Sequence, residues 1–195
     1  IKKLEDLTKK KIRVLTREET ESDFLIEQAK TKNIAFLVPG DPLTATTHMS
    51  LVLECKKRSI DYDIVHASSI FTAVAETGLH LYKFGRTVTL ALPEKGYFPS
   101  SPYDMICENK KNGLHTLVLL DTKSEMDLRK ALEILIYMDK ENILSDKIIV
   151  AGKFGSKEKI IKYGYAKDLM IDIYPAVIIV PGNLHFMEEE AINLW

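Results

Sequence analysis

One short segment has the residue types of a ligand-binding loop. Residues 38–48, VPGDPLTATTH, come directly after the apolar run 34–38 and just before a helical pattern. In an open α/β sheet such a loop lies at the carboxyl end of a strand, where ligands bind. Gly40 would let the backbone approach a ligand, and Asp41 could accept hydrogen bonds or attract a cation. A turn followed by a helix cap, with Asp and Thr as the capping residues, accounts for the same residue types.

Four more segments place polar side chains beside predicted strands or helix ends. They are HASSI (66–70), GLHLYKFG (78–85), NGLHT (112–116) and PGNLHF (181–186). Tyr82 and Lys83 could meet an acidic partner, and Ser69 offers a hydroxyl group. Structural roles remain open for all four: helix caps, a glycine-capped helix end, and a structural hydrogen bond for His115. We expect the acidic run 188–190 to be the solvated start of a helix.

Several other kinds of chemistry lack their sequence signals. There is no GxGxxG, GxxxxGK[ST], HExxH or GxSxG motif, so dinucleotide, P-loop, zinc-protease and hydrolase sites are not predicted. Cys55 and Cys107 form no CxxC pair, which gives no support for a metal site or a disulfide framework and favours the cytoplasm. A net charge of −1 does not predict nonspecific nucleic-acid binding, and no apolar run is long enough for a membrane span.

The elements that would position these segments alternate in type. Apolar runs predict strands at residues 12–15, 34–38, 63–65, 87–92, 116–120, 148–151 and 177–180, and helical spacing predicts helices at 50–58, 124–139 and 157–170. This alternation indicates an α/β class with a largely parallel sheet. We place a domain boundary near residues 84–86, which gives an N-terminal α/β domain, 1–85, and a C-terminal α/β domain, 86–195.

A Pro-, Gly- and Ser-rich stretch, residues 92–104, is predicted to be an irregular loop. A loop of this length within a compact fold is often functional. Its aromatic residues Tyr97, Phe98 and Tyr103 make it a candidate contact for a protein substrate. An ordinary packed surface loop is the alternative.

Taken in order along residues 12–186, the segments resemble those of diphthine synthases. The blocks are PGDPLTATTH, HASSI, GLHLYKFG, SPYD followed by NGLHTLVLLD, and VPGNLHF. The PGDP loop is similar to that of the wider tetrapyrrole methylase superfamily, whereas TATTH, LYKFG and GLHTL are similar to this branch. The resemblance implies two α/β domains of the tetrapyrrole methylase type, with the ligand cleft between them and usually a homodimer.

The same resemblance implies a methyltransferase that uses S-adenosylmethionine (SAM) and releases S-adenosylhomocysteine. The acceptor would be the amino group of a modified histidine on elongation factor 2, methylated repeatedly to give diphthine. Carried over from the family motifs, the SAM contacts fall on Asp41, Thr44, Ser69, Ile70, Leu120, Phe154 and Ala176. No metal is implied. No general base is assigned, and His115 or solvent could take the proton.

The sequence also departs from the family pattern. The family's opening strand and its glycine-containing loop are missing, and the region after Asp121 is shortened. We expect that parts of the chain are omitted, and that without the first strand an apolar edge is exposed and SAM binds poorly. A tetrapyrrole methyltransferase of the same fold and a binding module without catalysis are the alternative functions.

Overall fold

The computed structural model describes residues 1–93, 98–122 and 126–195. The chain forms two compact units, Ile1–Ser69 and Ile70–Trp195. The domain boundary expected near residues 84–86 stays a prediction. Tyr97 and the first residues of the helix expected at 124–139 lie outside the described residues. Within the described ranges, no helix is long and apolar enough to cross a membrane.

The first unit contains four short helices. They are α1 (Lys2–Thr8), α2 (Arg17–Glu21), α3 (Phe24–Ala29) and α4 (Met49–Lys57). Helix α4 confirms the helix predicted at 50–58. The Arg58 guanidinium at the end of α4 pairs with Asp23 and Glu27, each at 2.6 Å, and so ties α4 to α3. These pairs are exposed to solvent, so they contribute little to stability individually.

The strands predicted in the first unit are wrong. Among residues 1–69, all of which are described, none is assigned to a strand. Segments 34–38 and 60–65 instead flank an open groove of about 990 Å³, and Leu37 and Val65 are 57% and 83% exposed. An apolar run sets a preference for burial, but a strand also needs a neighbour for its backbone hydrogen bonds.

The second unit contains a five-stranded mixed sheet. Its strands are β1 (Val88–Leu90), β2 (Thr116–Leu120), β3 (Ile148–Gly152), β4 (Ile160–Gly164) and β5 (Ala176–Val180), in the order β1-β2-β5-β3-β4. Strands β1 and β2 pair in parallel, and the other three pairs are antiparallel. The α/β class is confirmed, but the largely parallel sheet is wrong for the described residues. Strands β3 and β4 are close in sequence, and such a short connection favours an antiparallel hairpin.

The helix predicted at residues 157–170 is also wrong. Strand β4 occupies its first half, and a 3-10 turn, Ala166–Leu169, follows. Ile160, Ile161 and Tyr163 are residue types that favour strands, and pairing with β3 buries Ile161. Tertiary pairing thus overrides an apolar spacing that also fits a helix.

The helices of the second unit cover both faces of the sheet. They are α5 (Ile70–Ala73), α6 (Ser101–Lys111), α7 (Leu128–Met138) and α8 (Phe186–Ile192). Successive strand residues point to opposite faces. Thus Val118 and Ile178 join the apolar cluster that includes α6 and α7, whereas Leu117 and Ile179 join the one that includes Ile192 of α8. The strong apolar stripe of α7 follows the predicted spacing.

Candidate functional site

A single carboxylate joins two of the predicted ligand-binding loops. Oδ1 of Asp41 accepts hydrogen bonds from the Leu43 amide at 3.0 Å and from the Thr44 hydroxyl at 3.1 Å. Its Oδ2 accepts from Nδ1 of His66 at 2.8 Å and from the Ala67 amide at 3.2 Å. We call this group the Asp41 cluster. It lies entirely in the first unit and fixes loop 38–48 against the HASSI segment.

The electrostatics of the Asp41 cluster favour an ionised carboxylate. Hydrogen bonds from the Leu43 amide and from His66 lower the pKa of Asp41 to about 2. An ionised carboxylate can only accept hydrogen bonds, so Nδ1 of His66 must carry the proton of that contact. A fixed negative charge at these loops suits a cationic ligand.

The backbone of loop 38–48 passes close to the HASSI segment at Gly40. Gly40 has a φ of +81°, which favours glycine, and a Cβ placed there would lie 3.5 Å from the Ser68 carbonyl oxygen. Farther along the loop, Nδ1 of His48 lies 2.9 Å from the Pro42 carbonyl oxygen, and its ring packs edge-on against Phe36. The loop is therefore shaped by its own side chains as well as by the Asp41 cluster.

Three of the predicted SAM contacts in the second unit meet at one edge of the sheet. Leu120 ends β2, and its neighbour Leu119 pairs with Val177, one residue after Ala176. Ala176 pairs with Gly152, the last residue of β3. Phe154 follows two residues later, where the Lys153 amide donates to the Pro175 carbonyl at 3.1 Å. The carboxyl ends of β2 and β3 thus bring Leu120, Phe154 and Ala176 into one region.

The remaining two predicted contacts are neighbours in the chain. Ser69 is the last residue of the first unit, and Ile70 begins α5 in the second. Ile70 is half-buried and packs against the apolar cluster that contains Val74. Binding of SAM by all seven residues stays a prediction. Asp41 and Thr44 lie together in the first unit, Leu120, Phe154 and Ala176 lie together in the second, and Ser69 and Ile70 are adjacent in the chain.

The role of Glu188 as a link between distant segments could not be predicted from its surroundings in the sequence. This residue is fully buried, and Oε1 accepts from the His80 amide at 2.8 Å and from Nε2 of His115 at 3.0 Å. Its Oε2 accepts from the Lys83 ammonium and from the His185 amide at 2.8 Å. We call this group the Glu188 cluster. It joins three sequence segments, GLHLYKFG, NGLHT and PGNLHF, in the second unit.

The expected solvation of the acidic run 188–190 needs correction at Glu188. The acidic run does lie near the start of α8 (Phe186–Ile192), but Glu188 is buried and ion-paired instead of solvated. The signal in the sequence is its position three residues after His185, which forms a capping box with it. Burial alone would raise the pKa of Glu188, but hydrogen bonds from the His185 amide and from Lys83 lower it to about 2.

His115 cannot take a proton from a substrate. Its side chain is fully buried, Nδ1 accepts from the Gly182 amide at 2.9 Å, and Nε2 must therefore donate to Glu188. Burial lowers the pKa of His115 and keeps the ring neutral. The structural reading of this histidine is confirmed, and its suggested role as proton acceptor is wrong.

Of the aromatic residues proposed to contact a protein substrate, Tyr103 is packed in the fold, whereas Phe98 is 42% exposed. Tyr103 is buried in α6, and its hydroxyl donates to Asp139 at 2.8 Å. Phe98 packs against the Tyr137 ring, with 5.2 Å between the centroids. The described part of this stretch ends at α6, which begins at Ser101, so the predicted loop is shorter than expected.

Comparison with known proteins agrees with these observations. The family model described as Tetrapyrrole (Corrin/Porphyrin) Methylases matches residues 2–164. The diphthine synthase of Methanocaldococcus jannaschii is 44% identical over 98% of this chain and 80% of that protein. The diphthine synthase of Methanococcus aeolicus is 43% identical over 99% of this chain and 80% of that protein. A crystal structure of a diphthine synthase superposes with a TM-score of 0.90 at 33% identity, covering 100% of this chain and 78% of the other.

Proposed function

The chain belongs to the diphthine synthase family of tetrapyrrole methylases, a family of SAM-dependent methyltransferases, and we propose that its acceptor is elongation factor 2. The methylated atom would be the amino nitrogen of a modified histidine side chain, and the product would be diphthine. The second product would be S-adenosylhomocysteine. The reaction would take place in the cytoplasm, with the enzyme as a homodimer.

The residues present suit a positively charged methyl donor. When bound, SAM supplies a methyl group on a sulfonium sulfur. We assign its binding to Asp41, Thr44 and Ser69 in the first unit, and to Ile70, Leu120, Phe154 and Ala176 in the second. Apolar side chains can exclude water from a methyl-transfer site, while Asp41 provides the negative charge.

The observation that carries this proposal is the Asp41 cluster. The carboxylate holds the Thr44 hydroxyl and the backbone that leads to Ser69 in one arrangement. Positioning of this kind can supply up to about 7–11 kcal/mol of the barrier reduction in a transfer between two bound groups. Since the displacement needs alignment of the amine with the methyl carbon, loop geometry is the main contribution expected from this chain.

The proposal can be tested by mass spectrometry. The full-length protein is incubated with isotope-labelled SAM and with elongation factor 2 that carries the unmethylated precursor. We expect label on the target histidine, and we expect loss of label with Asp41→Ala. Bound SAM without transfer would contradict the proposed acceptor and indicate a tetrapyrrole substrate. Failure to bind SAM would indicate a binding module.

A further inference from the structure

The chain has five histidines, and they differ in which ring nitrogens are already hydrogen-bonded. Both nitrogens of His115 are used inside the Glu188 cluster. Nδ1 of His185 accepts from the Met187 amide as part of the α8 cap, so its proton lies on Nε2. The His80 ring stacks on Tyr82, and its Nδ1 contacts the Tyr82 hydroxyl at 3.0 Å. His48 and His66 remain, and both lie on the loops joined by Asp41.

These two histidines differ in partner and exposure. The His48 ring is half-buried against Phe36, and its Nδ1 contacts a neutral carbonyl oxygen. The His66 side chain is 68% exposed, and its Nδ1 lies 2.8 Å from the Asp41 carboxylate. A carboxylate on one imidazole nitrogen fixes the tautomer and stabilises the cation that forms when the other nitrogen takes a proton. Of the five histidines, His66 combines a carboxylate within hydrogen-bond distance with a mostly exposed ring, whereas Nδ1 of His80 lies 3.7 Å from the Glu188 carboxylate and its side chain is 30% exposed.

The hydrogen bond to Asp41 decides which atom of His66 is reactive. With the proton on Nδ1, the neutral ring carries a lone pair on Nε2. The side chain is mostly exposed, so Nε2 is accessible from solvent. Asp41 is the ionised group in contact with this ring among the described residues. His66 also lies three residues before Ser69 in the HASSI segment, which places it at the proposed SAM-binding loops.

We propose that His66 takes the proton from the acceptor amine before each methyl transfer. The inference rests on the proposed function, because it concerns the amine of the same reaction. It assigns the general base that the sequence analysis left open. Asp41 then has two roles: it positions the loops, and it orients the His66 ring.

The step balances in protons and electrons. The ammonium N–H proton moves to Nε2 of His66, and the electron pair of that bond remains on nitrogen. The nitrogen pair then forms the bond to the methyl carbon, and the carbon–sulfur pair moves to sulfur. His66 finally releases its proton to solvent. Three methyl transfers to an ammonium group release three protons, so the same step serves each transfer.

Two substitutions separate proton transfer from positioning. In His66→Asn, the amide N–H can replace the Nδ1 donor to Asp41, but nothing replaces the Nε2 lone pair. His66→Ala removes both and leaves space for added imidazole. SAM binding is measured by calorimetry, and transfer to elongation factor 2 by mass spectrometry. His48→Ala is the matched control for imidazole addition.

We expect His66→Asn to bind SAM normally and to lose about 100-fold or more in transfer rate, which is typical of a lost general base. Imidazole should restore transfer in His66→Ala and have no effect in His48→Ala. Nitrogen NMR of the wild-type chain, without any ligand and with the His66 ring in its neutral form, should place the ring proton on Nδ1. This last measurement does not depend on activity.

Other results would overturn the proposal. Near-normal transfer by His66→Asn would mean that His66 only positions the loops. Loss of SAM binding in His66→Asn would mean that the residue serves binding. A wild-type chain that binds SAM but transfers nothing to elongation factor 2 would reject the proposed acceptor, and the role of His66 toward that amine with it.

Discussion

Asp41 and Glu188 each accept four hydrogen bonds and each has a pKa lowered to about 2, yet their surroundings differ. Glu188 is fully buried, and its histidine partner His115 is fully buried as well. The side chain of Asp41 is 9% exposed, and its histidine partner His66 is 68% exposed. The Glu188 cluster can therefore stabilise the fold but cannot reach a ligand, whereas the Asp41 cluster presents a ring to solvent.

The comparison shows that hydrogen-bond count and pKa do not by themselves identify a functional carboxylate. Both carboxylates join segments that are distant in sequence. The distinguishing property is whether a partner keeps a free, accessible atom after the carboxylate is satisfied. His66 keeps its Nε2 available in this way, whereas both ring nitrogens of His115 are used.

The largest expected effect is the loss of unfolding free energy in Glu188→Gln. The N–H group of the new amide would face groups that donate hydrogen bonds to Glu188 in the wild type. The Lys83 ammonium would lose its counter-ion. Breaking a buried pair of this kind costs about 3–5 kcal/mol of unfolding free energy. Urea unfolding followed by fluorescence measures it for the second unit, because Trp195 is the only tryptophan and its indole N–H donates to Thr77. Glu189→Gln, at an exposed position of the same helix, should change the value by less than about 0.5 kcal/mol.

The acid stability of the second unit should depend on the same cluster. His115 and Glu188 have folded pKa values below their ordinary values of 6.5 and 4.5, so the unfolded chain binds protons more readily than the folded chain. The stabilisation is present above these ordinary values and is lost as pH falls through the folded values. Unfolding free energy should fall first below pH 6.5 and again between pH 4.5 and about 2. In Glu188→Gln the second decrease should be weaker. An unchanged pH profile of the unfolding free energy would contradict the assignment of this decrease to Glu188.

The substitution Asp41→Asn should affect binding more than stability. The new N–H group would face donors of the HASSI segment, His66 and Ala67, and would weaken the link between the two loops. We expect SAM affinity to fall by about tenfold, comparable to the loss of one or two hydrogen bonds, with a smaller stability change than in Glu188→Gln. Calorimetry measures the affinity, and Asp6→Asn, an exposed aspartate in α1, is the control. Unchanged affinity would contradict the loop-joining role of Asp41.

The smallest expected effect is that of His66→Asn on stability. His66 is mostly exposed, and the Asn side chain can keep the hydrogen bond to Asp41, so unfolding free energy should change by less than about 0.5 kcal/mol. Hydrogen exchange of the amides in loop 38–48 measures local opening in the first unit. Large deprotection of this loop would show that the ring is needed for structure and would remove the contrast with His115.

Much of the second unit could be predicted from short-range pattern. Strand β2 coincides with the predicted run 116–120, and β3 and β5 begin or end within one residue of their predicted runs. These runs are continuous and apolar because the sheet is covered on both faces. Strand direction was not predictable in this way, because residue type sets burial and the connections set direction. The segment 157–170 failed for a related reason, since its apolar residues fit either a helix or a strand until β3 provides a partner.

The sequence by itself determined which segments matter. It indicated the loop 38–48, the HASSI segment and the strand end at Leu120, and its ordered motifs indicated the family. Only the tertiary structure decided which histidine is buried and which is available. His66 and His115 each precede a small or polar residue in a similar apolar context, so local pattern cannot separate them. Burial and partners depend on residues distant along the chain: Glu188 lies 73 residues after His115, and Asp41 lies 25 residues before His66.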